Sequence, residues 1–487
     1  MSSGRKVVFG TVWSTVDRFG NMAIQFVVNM VLANLVLPVD FGYIGVLAIF
    51  MAVSQVLIDG GFATALIQKK EPTQTDYSTI FFWNAGLAVV LYLALFTLAP
   101  VISGFFRMPI LTDVLRLFGI MLIFSALSQV HAVRLRKSMA FRTIAIVNIL
   151  SYTVAGAVAI YMAAEGLGVW ALVAMQLVNT GMAFLLYFTV TRWKPTITFS
   201  ATAFKSMFHF GGYLLAASLL QEVCKNIPSI IIGRRFSPAQ MGYYSQANKL
   251  DQINSYAIPQ ALVQAIFPYY SQIQDNREQL AATLLRCVRV IAFCIFPILG
   301  LLIIIAPDLI TLLWGDEWLP AAPYFRILCC GGIFTCLQNI NFYAVAARGQ
   351  SKELFRWSFY KWGMLTVLLL TGMLFGMQGI MWAFVISNAN IYAVNALLAQ
   401  RHTGLRFTRQ IRGWMPTAIA TVISVGTAFF VGFLCRSGML GGASMSMMIA
   451  SFIMSYACIT ALFSFRAVDD VASIIKQLIN RKKNANN

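Results

Sequence analysis

The chain has 487 residues, 59% of them hydrophobic and only 11% charged, and 36 Lys and Arg against 17 Asp and Glu give a formal net charge of +19. A soluble globular chain carries about 25% charged residues, so the composition excludes an ordinary soluble fold and points to an integral membrane protein. Most of the eight cysteines sit in apolar runs, where Cys behaves as a small hydrophobe, and three histidines offer little for a catalytic metal, so neither a cofactor nor a metal site is expected.

About 20 apolar residues cross a bilayer, and the chain offers about fourteen such runs, at roughly 8–36, 42–66, 78–102, 111–132, 143–163, 168–190, 206–233, 242–268, 289–312, 324–346, 358–375, 379–399, 414–434 and 441–463. The expected fold class is therefore an all-α integral membrane protein of about 14 transmembrane helices. In the first run Arg18, Asn21, Gln25 and Asn29 recur at spacings of three and four, with Asp17 beside Arg18, so on a helix they form one polar face. A charged group in hydrocarbon costs roughly 2.5–3.5 kcal/mol on insertion scales and usually faces a bundle interior or a wet cavity. The stripe reads as one wall of such a cavity.

The turn Leu37-Pro38 to Gly42-Tyr43 opens the second run, in which Asp59 precedes Gly60-Gly61. The glycine pair should loosen the helix, and the acid is placed to cap the broken end, hold a cation or pair with a nearby lysine. Arg116 stands in the fourth run. In the seventh run the polar face returns as Ser218, Gln221, Lys225 and Ser229 with Glu222 alongside, and Ser237-Pro238 to Gly242-Tyr243 repeats the first turn, all at an offset of about 200. Leu115-Arg116-Leu117 matches Phe325-Arg326-Ile327, and Val169 to Val173 matches Met381 to Val385. An insertion of about ten residues in the polar loop at 272–284 explains the growing offset.

The expected domains are a six-helix bundle over about 1–200, a second over about 201–400, an extra helix pair over about 401–465 and a basic amphipathic cytoplasmic tail over about 466–487. An even number of spans per half makes the repeats parallel, and such proteins place substrate between them, where the two stripes should meet. The eighth run adds Lys249 and Asp251, and Trp314 and Trp318 in an outer loop read as interfacial anchors.

About 26 of the 36 cations fall in the tails and alternate loops that share a side with the N-terminus, and only Arg107, Arg234, Arg235 and Arg436 lie in the opposite loops. Both termini are therefore expected in the cytoplasm. The net charge follows from this asymmetry, and no nucleic-acid partner is implied.

No G-x-x-x-x-G-K-[ST] loop and no convincing Ser/His/Asp or Cys/His set is present, so the chain does not read as an enzyme. Asp17, Arg18, Arg116, Glu222, Lys225, Lys249 and Arg326 remain as ionisable groups within spans. The cations exceed the acids available to pair them, which makes an anionic substrate the economical inference. Structural readings stand beside it: Arg116 and Arg326 could snorkel to the interface, Asp17 could pair with Arg18, Glu222 could neutralise Lys225, and the amide stripe could be a tight helix interface.

Asp17-Arg18-Phe19-Gly20, Leu37-Pro38 to Gly42, Asp59-Gly60-Gly61-Phe62, Asp76-Tyr77-Ser78-Thr79, Gly168 to Val173, Phe236-Ser237-Pro238, Phe267-Pro268 and Trp318 to Tyr324 together resemble the polysaccharide transporter family. The likeness is to its Wzx-type, colanic-acid-exporter-like branch, within the MATE-like MOP exporter superfamily. The resemblance implies two bundles around a central, alternately opening cavity, in a multi-pass protein of the bacterial inner membrane. It further implies a flippase that moves polyprenyl-pyrophosphate-linked oligosaccharide from the cytoplasmic to the periplasmic leaflet. On this reading Arg18, Asn21, Gln25, Gln221, Lys225, Lys249, Arg116 and Arg326 line the substrate cavity. Asp17, Asp59 and Glu222 are the carboxylates for coupling to H+ or Na+, and membrane lipids and the polysaccharide polymerase machinery are the expected neighbours. A MATE-like exporter of small amphiphiles and a membrane glycan polymerase or ligase are the competing functions.

Overall fold

A computed structural model describes residues 3–257, 266–436, 444–462, 467–470 and 473. Helices account for nearly all of them, and no strand occurs among the described residues. In chain order the helices are α1 (Ser3–Leu35), α2 (Pro38–Asp59), α3 (Phe62–Gln68), α4 (Gln74–Phe106), α5 (Leu111–Phe118), α6 (Ile120–Lys137), α7 (Phe141–Ala164) and α8 (Val169–Thr191). There follow α9 (Ala201–Arg235), α10 (Pro238–Asp251), α11 (Arg277–Trp314), α12 (Ala322–Ala347), α13 (Ser351–Gly372), α14 (Gly376–Thr403), α15 (Phe407–Arg436) and α16 (Ser444–Leu462).

Local chemistry sets the boundaries. Pro38 starts α2, where its missing N–H is an orphan in any case, and Gly60 ends it in the left-handed region at φ 53°. Gly61, also left-handed, then begins α3, so the glycine pair breaks one long apolar segment into two helices. Thr73 and Asp76 form a capping box at the start of α4. Among the described residues ten segments are long and apolar enough to cross a membrane, and one of them, Lys352–Thr403, holds both α13 and α14. Strongly exposed apolar side chains such as Val90, Val101, Leu185, Val422 and Phe433 give the outer faces of these helices a surface suited to lipid. The chain is an all-helical, multi-pass membrane protein.

By internal packing the chain divides into two compact units. The first comprises Met1–Gly242 with Leu313–Glu317, and the second Tyr243–Leu312 with Trp318–Asn487. The repeat places its second half from about residue 201, whereas the first compact unit runs on through α9, because α9 packs on α2, α3 and α4. Within this unit α1 lies on α7, α7 on α8 and α6 on α8. In this unit Phe62, Leu66, Ile80, Val130, Val133, Trp193 and Met207 form a buried cluster.

In the second unit α12 packs most extensively on α14, and α13 also lies on α14. The helix pair α15–α16 joins α11 through Ile304, Ile305, Ala428, Met448 and Phe452. Residues 467–470 are helical, and Asp470 pairs with Arg289 at 2.8 Å and Arg286 at 3.4 Å on α11. The rest of the tail expected to be amphipathic lies outside the described residues.

One contact joins the two similar turns. A Cβ added to Gly42 would lie 1.8 Å from the Pro238 carbonyl oxygen, and one added to Gly242 would lie 1.9 Å from the Pro38 carbonyl oxygen. The first turns of α2 and α10 thus cross backbone against backbone, each glycine seated on the other repeat's proline. The loop tryptophans Trp314 and Trp318 are buried, and Trp318 sits in a 3-10 turn, Asp316–Ala321, with its ring edge-on to Tyr243 at 6.0 Å.

Candidate substrate and coupling site

The α1 stripe is wired into the first unit. Asn21 Nδ2 donates to Asp17 Oδ1 at 2.7 Å and to the Asp17 carbonyl at 2.8 Å. Asn148 Nδ2 on α7 donates to the same Oδ1 at 3.0 Å, and the Tyr187 hydroxyl on α8 donates to Asn148 Oδ1 at 2.8 Å. One turn along α7 from Asn148, Tyr152 shares a hydrogen bond with Gln25. Close approach of α1 and α7 is made possible by Gly156, whose added Cβ would lie 2.5 Å from Val28. Arg18, 100° further round the helix from Asp17, is exposed, and so is Gln25. Asn21 Oδ1 is buried with no partner among the described residues.

On α9 a similar acid–amide clasp recurs within a single helix. Asn226 Nδ2 donates to Glu222 Oε1 at 3.1 Å and to the Glu222 carbonyl at 2.9 Å. Lys225 Nζ lies 3.7 Å from Glu222 Oε1, with side-chain exposures of 58% and 23% for the lysine and the acid. Gln221 is exposed too. Since α1 packs on α7 and α9 on α2, α3 and α4, each stripe helix leaves its cation free of the neighbours that hold its backbone.

Asp59 performs the capping role among those open to it. It accepts from the Ala63 backbone N–H at the start of α3 and from Gln129 Nε2, while Gln129 Oε1 accepts from Asn84 Nδ2 at 2.6 Å. Ser125 and Gln55 continue this polar seam between α2 and α6 at 2.8 Å.

The two repeat-related arginines go elsewhere. Arg116 lies over the Phe96 ring at 4.6 Å. Arg326 lies over Phe429 at 5.7 Å, and its Nε donates to the Ile303 carbonyl at 2.9 Å. That carbonyl is four residues before Pro307, which has no N–H to give it, so Arg326 fills a bond that the proline deletes. Lys249 is exposed in the last turn of α10, in the second unit. Beyond it Ser255 Oγ donates to Asp251 at 2.5 Å inside a π-helical segment, Gln252–Ala257.

The sequence reading missed Asn148, Tyr152 and Tyr187, whose only signal was polar atoms at helical spacing in otherwise apolar runs. It also missed Lys361, although that lysine lies inside a predicted span. Lys361 is 8% exposed and donates to Asn395 Oδ1 at 2.5 Å, and Asn395 Nδ2 donates to the Gln338 carbonyl at 3.2 Å, tying α13, α14 and α12 together.

Against known proteins, the family described as polysaccharide biosynthesis protein matches residues 31–323. The chain belongs to that family. It is 26% identical over 358 residues to the teichuronic acid biosynthesis protein TuaB of Bacillus subtilis, covering 72% of this chain and 74% of that one. Identity is 23% over 406 residues to the lipopolysaccharide biosynthesis protein WzxC of Escherichia coli, covering 82% and 81%. It is 24% over 348 residues to the succinoglycan biosynthesis transport protein ExoT of Rhizobium meliloti, covering 71% and 70%. Among solved structures, the lipid II flippase MurJ in an inward closed conformation shares the fold at TM-score 0.72 and 12% identity, over 93% of this chain and 98% of that one. The family takes its description from polysaccharide biosynthesis, and one of the relatives, ExoT, is named as a transport protein.

Proposed function

We propose that the protein is a flippase that moves a polyprenyl-pyrophosphate-linked oligosaccharide from the cytoplasmic to the periplasmic leaflet of the bacterial inner membrane by alternating access. The observation that carries this reading is an exposed cation beside an acid–amide clasp on each of two repeat-related helices, Arg18 with Asp17–Asn21 and Lys225 with Glu222–Asn226. Family membership and the names of the relatives support a polysaccharide precursor as cargo. A guanidinium offers pyrophosphate a bidentate fork and an ammonium a point charge.

The two cations are staggered. Arg18 is 17 residues before the end of α1 and Lys225 is 10 before the end of α9, about 26 Å and 15 Å at 1.5 Å per residue. Both helices end at equivalent turns, so the cations differ in depth by about 11 Å. Arg18, deeper toward the termini, takes the pyrophosphate first, and Lys225 receives it nearer the opposite face. Both termini are cytoplasmic in this scheme. Coupling to H+ or Na+ falls to the half-buried Asp17 carboxylate, where the unpartnered Asn21 Oδ1 adds a neutral oxygen ligand. Glu222 and Asp59 are the secondary carboxylates, Asp59 the weaker because it caps α3.

The test is protection of a fluorescent polyprenyl-pyrophosphate oligosaccharide from an external quencher in proteoliposomes under an imposed proton or sodium gradient. Gradient-driven movement should be abolished in Arg18→Gln/Lys225→Gln protein that still inserts. Persistence of movement in that variant would overturn the anion-site reading, and efflux of a cationic dye without glycan movement would mark a drug exporter instead.

A further inference from the structure

We propose a binding site for the phosphate headgroup of an anionic phospholipid where the ends of α4 and α9 meet, on the face of the membrane opposite the basic loops. The sequence keeps cations off this face almost entirely, yet Arg107, Arg234 and Arg235, three of its four arginines, stand on these two helix ends. Packing brings Arg234 against the end of α4. The Arg234 guanidinium lies over the Phe105 ring at 5.1 Å, and an added Cβ on Gly233 would lie 3.2 Å from Phe106.

All three arginines are exposed, and none is in an ion pair among the described residues. Helix ends alone would be content with fewer charges. Arg107 is the C-cap of α4 and holds a left-handed conformation, φ 57°.

The surface leading to this cluster is apolar. Leu98, Val101 and Phe105 are exposed at 50%, 66% and 49% and fall at i, i+3 and i+7 on one face of α4. An acyl chain laid along that stripe brings its phosphate to the level of Phe105, within reach of the guanidinium stacked on the ring and of Arg107 one step further out. Lys225 and Arg234 are nine residues apart on α9 and point to opposite sides of the helix. Arg234, stacked on the exposed Phe105, therefore faces away from the proposed cargo cation. The occupant is a resident phospholipid, bound through bidentate guanidinium–phosphate contacts and sealing the seam between α4 and α9.

Native mass spectrometry of the delipidated full-length protein titrated with phosphatidylglycerol or phosphatidylcholine tests this without any transport assay, so its outcome is independent of the flippase reading. Arg107→Gln/Arg234→Gln/Arg235→Gln protein should lose one tightly held phosphatidylglycerol, with an affinity drop of about 100-fold, and show no change toward phosphatidylcholine. Equal retention of phosphatidylglycerol by the variant would overturn the site, and displacement of the lipid by millimolar inorganic phosphate would reassign it to a free anion. Should the variant fail to fold, wild-type protein carries the test through a phosphatidylglycerol with a photoreactive group near its headgroup. Adducts are expected within residues 98–107 and 231–235, and their absence from both stretches overturns the proposal.

Discussion

The helix pairs α1–α2 and α9–α10 are the same device built twice, and they agree at one end and diverge at the other. At the turn they are interchangeable: Pro38 and Pro238 each begin a helix, and Gly42 and Gly242 each sit on the other's proline carbonyl. Along the stripe they part. The acid of α1 is held from outside its helix by Asn148, itself fixed by Tyr187, whereas the acid of α9 is held by Asn226 and Lys225 of its own helix. A motif satisfied within one helix keeps its geometry when its neighbours move. A motif shared by three helices fixes their relative position and reports any change in it. In the proposed transport cycle the first repeat is the rigid sensor and the second the mobile carrier.

The largest effects should come where the pairs agree. Ordinary contact of a Cβ with its neighbours is 3.4–4 Å, so alanine at Gly42 or Gly242 must push two backbones apart by roughly 1.5–2 Å. No side chain can turn aside, because the obstacle in each case is a carbonyl. Gly42→Ala and Gly242→Ala are expected to lower the thermal midpoint of the purified protein by similar amounts, each corresponding to about 3 kcal/mol or more. One tolerated and one damaging substitution would show that the crossing is not shared equally.

How much of this was legible beforehand depends on where the partners stand. The stripes were visible because charges and amides at spacings of three and four contrast with a greasy background. Their partners on α7 and α8 were not, since Asn148, Tyr152 and Tyr187 are isolated polar groups that only folding brings to Asp17 and Gln25. The pairing of the two turns was legible, yet the packing boundary after Gly242 was not, because it depends on which face of α9 meets α2. Arg326 was recognised as a repeat position but not as the donor for Ile303. The proline at 307 contained that information, since an i−4 carbonyl must find a donor somewhere. Lys361 shows the limit of counting charges in spans, where one lysine near a boundary is easily assigned to the adjoining loop.

Next in size are changes to the acids, which set the two clasps against each other. Asp17→Ala removes the carboxylate shared by Asn21 and Asn148; Asn21 keeps the backbone carbonyl of residue 17, but the half-buried Asn148 Nδ2 loses its acceptor, a cost of roughly 1–3 kcal/mol. Glu222→Ala frees only Asn226 and Lys225, which can reach water, and should cost less than about 1 kcal/mol. Thermal unfolding of the two variants in one detergent checks the contrast. Equal destabilisation would mean that the α9 clasp is wired into its surroundings as tightly as that of α1.

The smallest effect on stability is expected at Lys225, and there stability and function should separate. Its ion pair with Glu222 spans 3.7 Å, and the lysine side chain is 58% exposed, so solvent already screens the attraction. Lys225→Gln should leave the unfolding midpoint unchanged to within about 0.5 kcal/mol. Transport should nonetheless fall sharply, because an amide cannot replace a full charge opposite a pyrophosphate. Arginine at the same position restores the charge with a longer reach and should recover a large part of the rate. Proteoliposome rates and unfolding midpoints measured on one preparation separate the two readings. If loss of transport follows loss of stability, Lys225 belongs to the scaffold and the carrier role must pass to another group on α9.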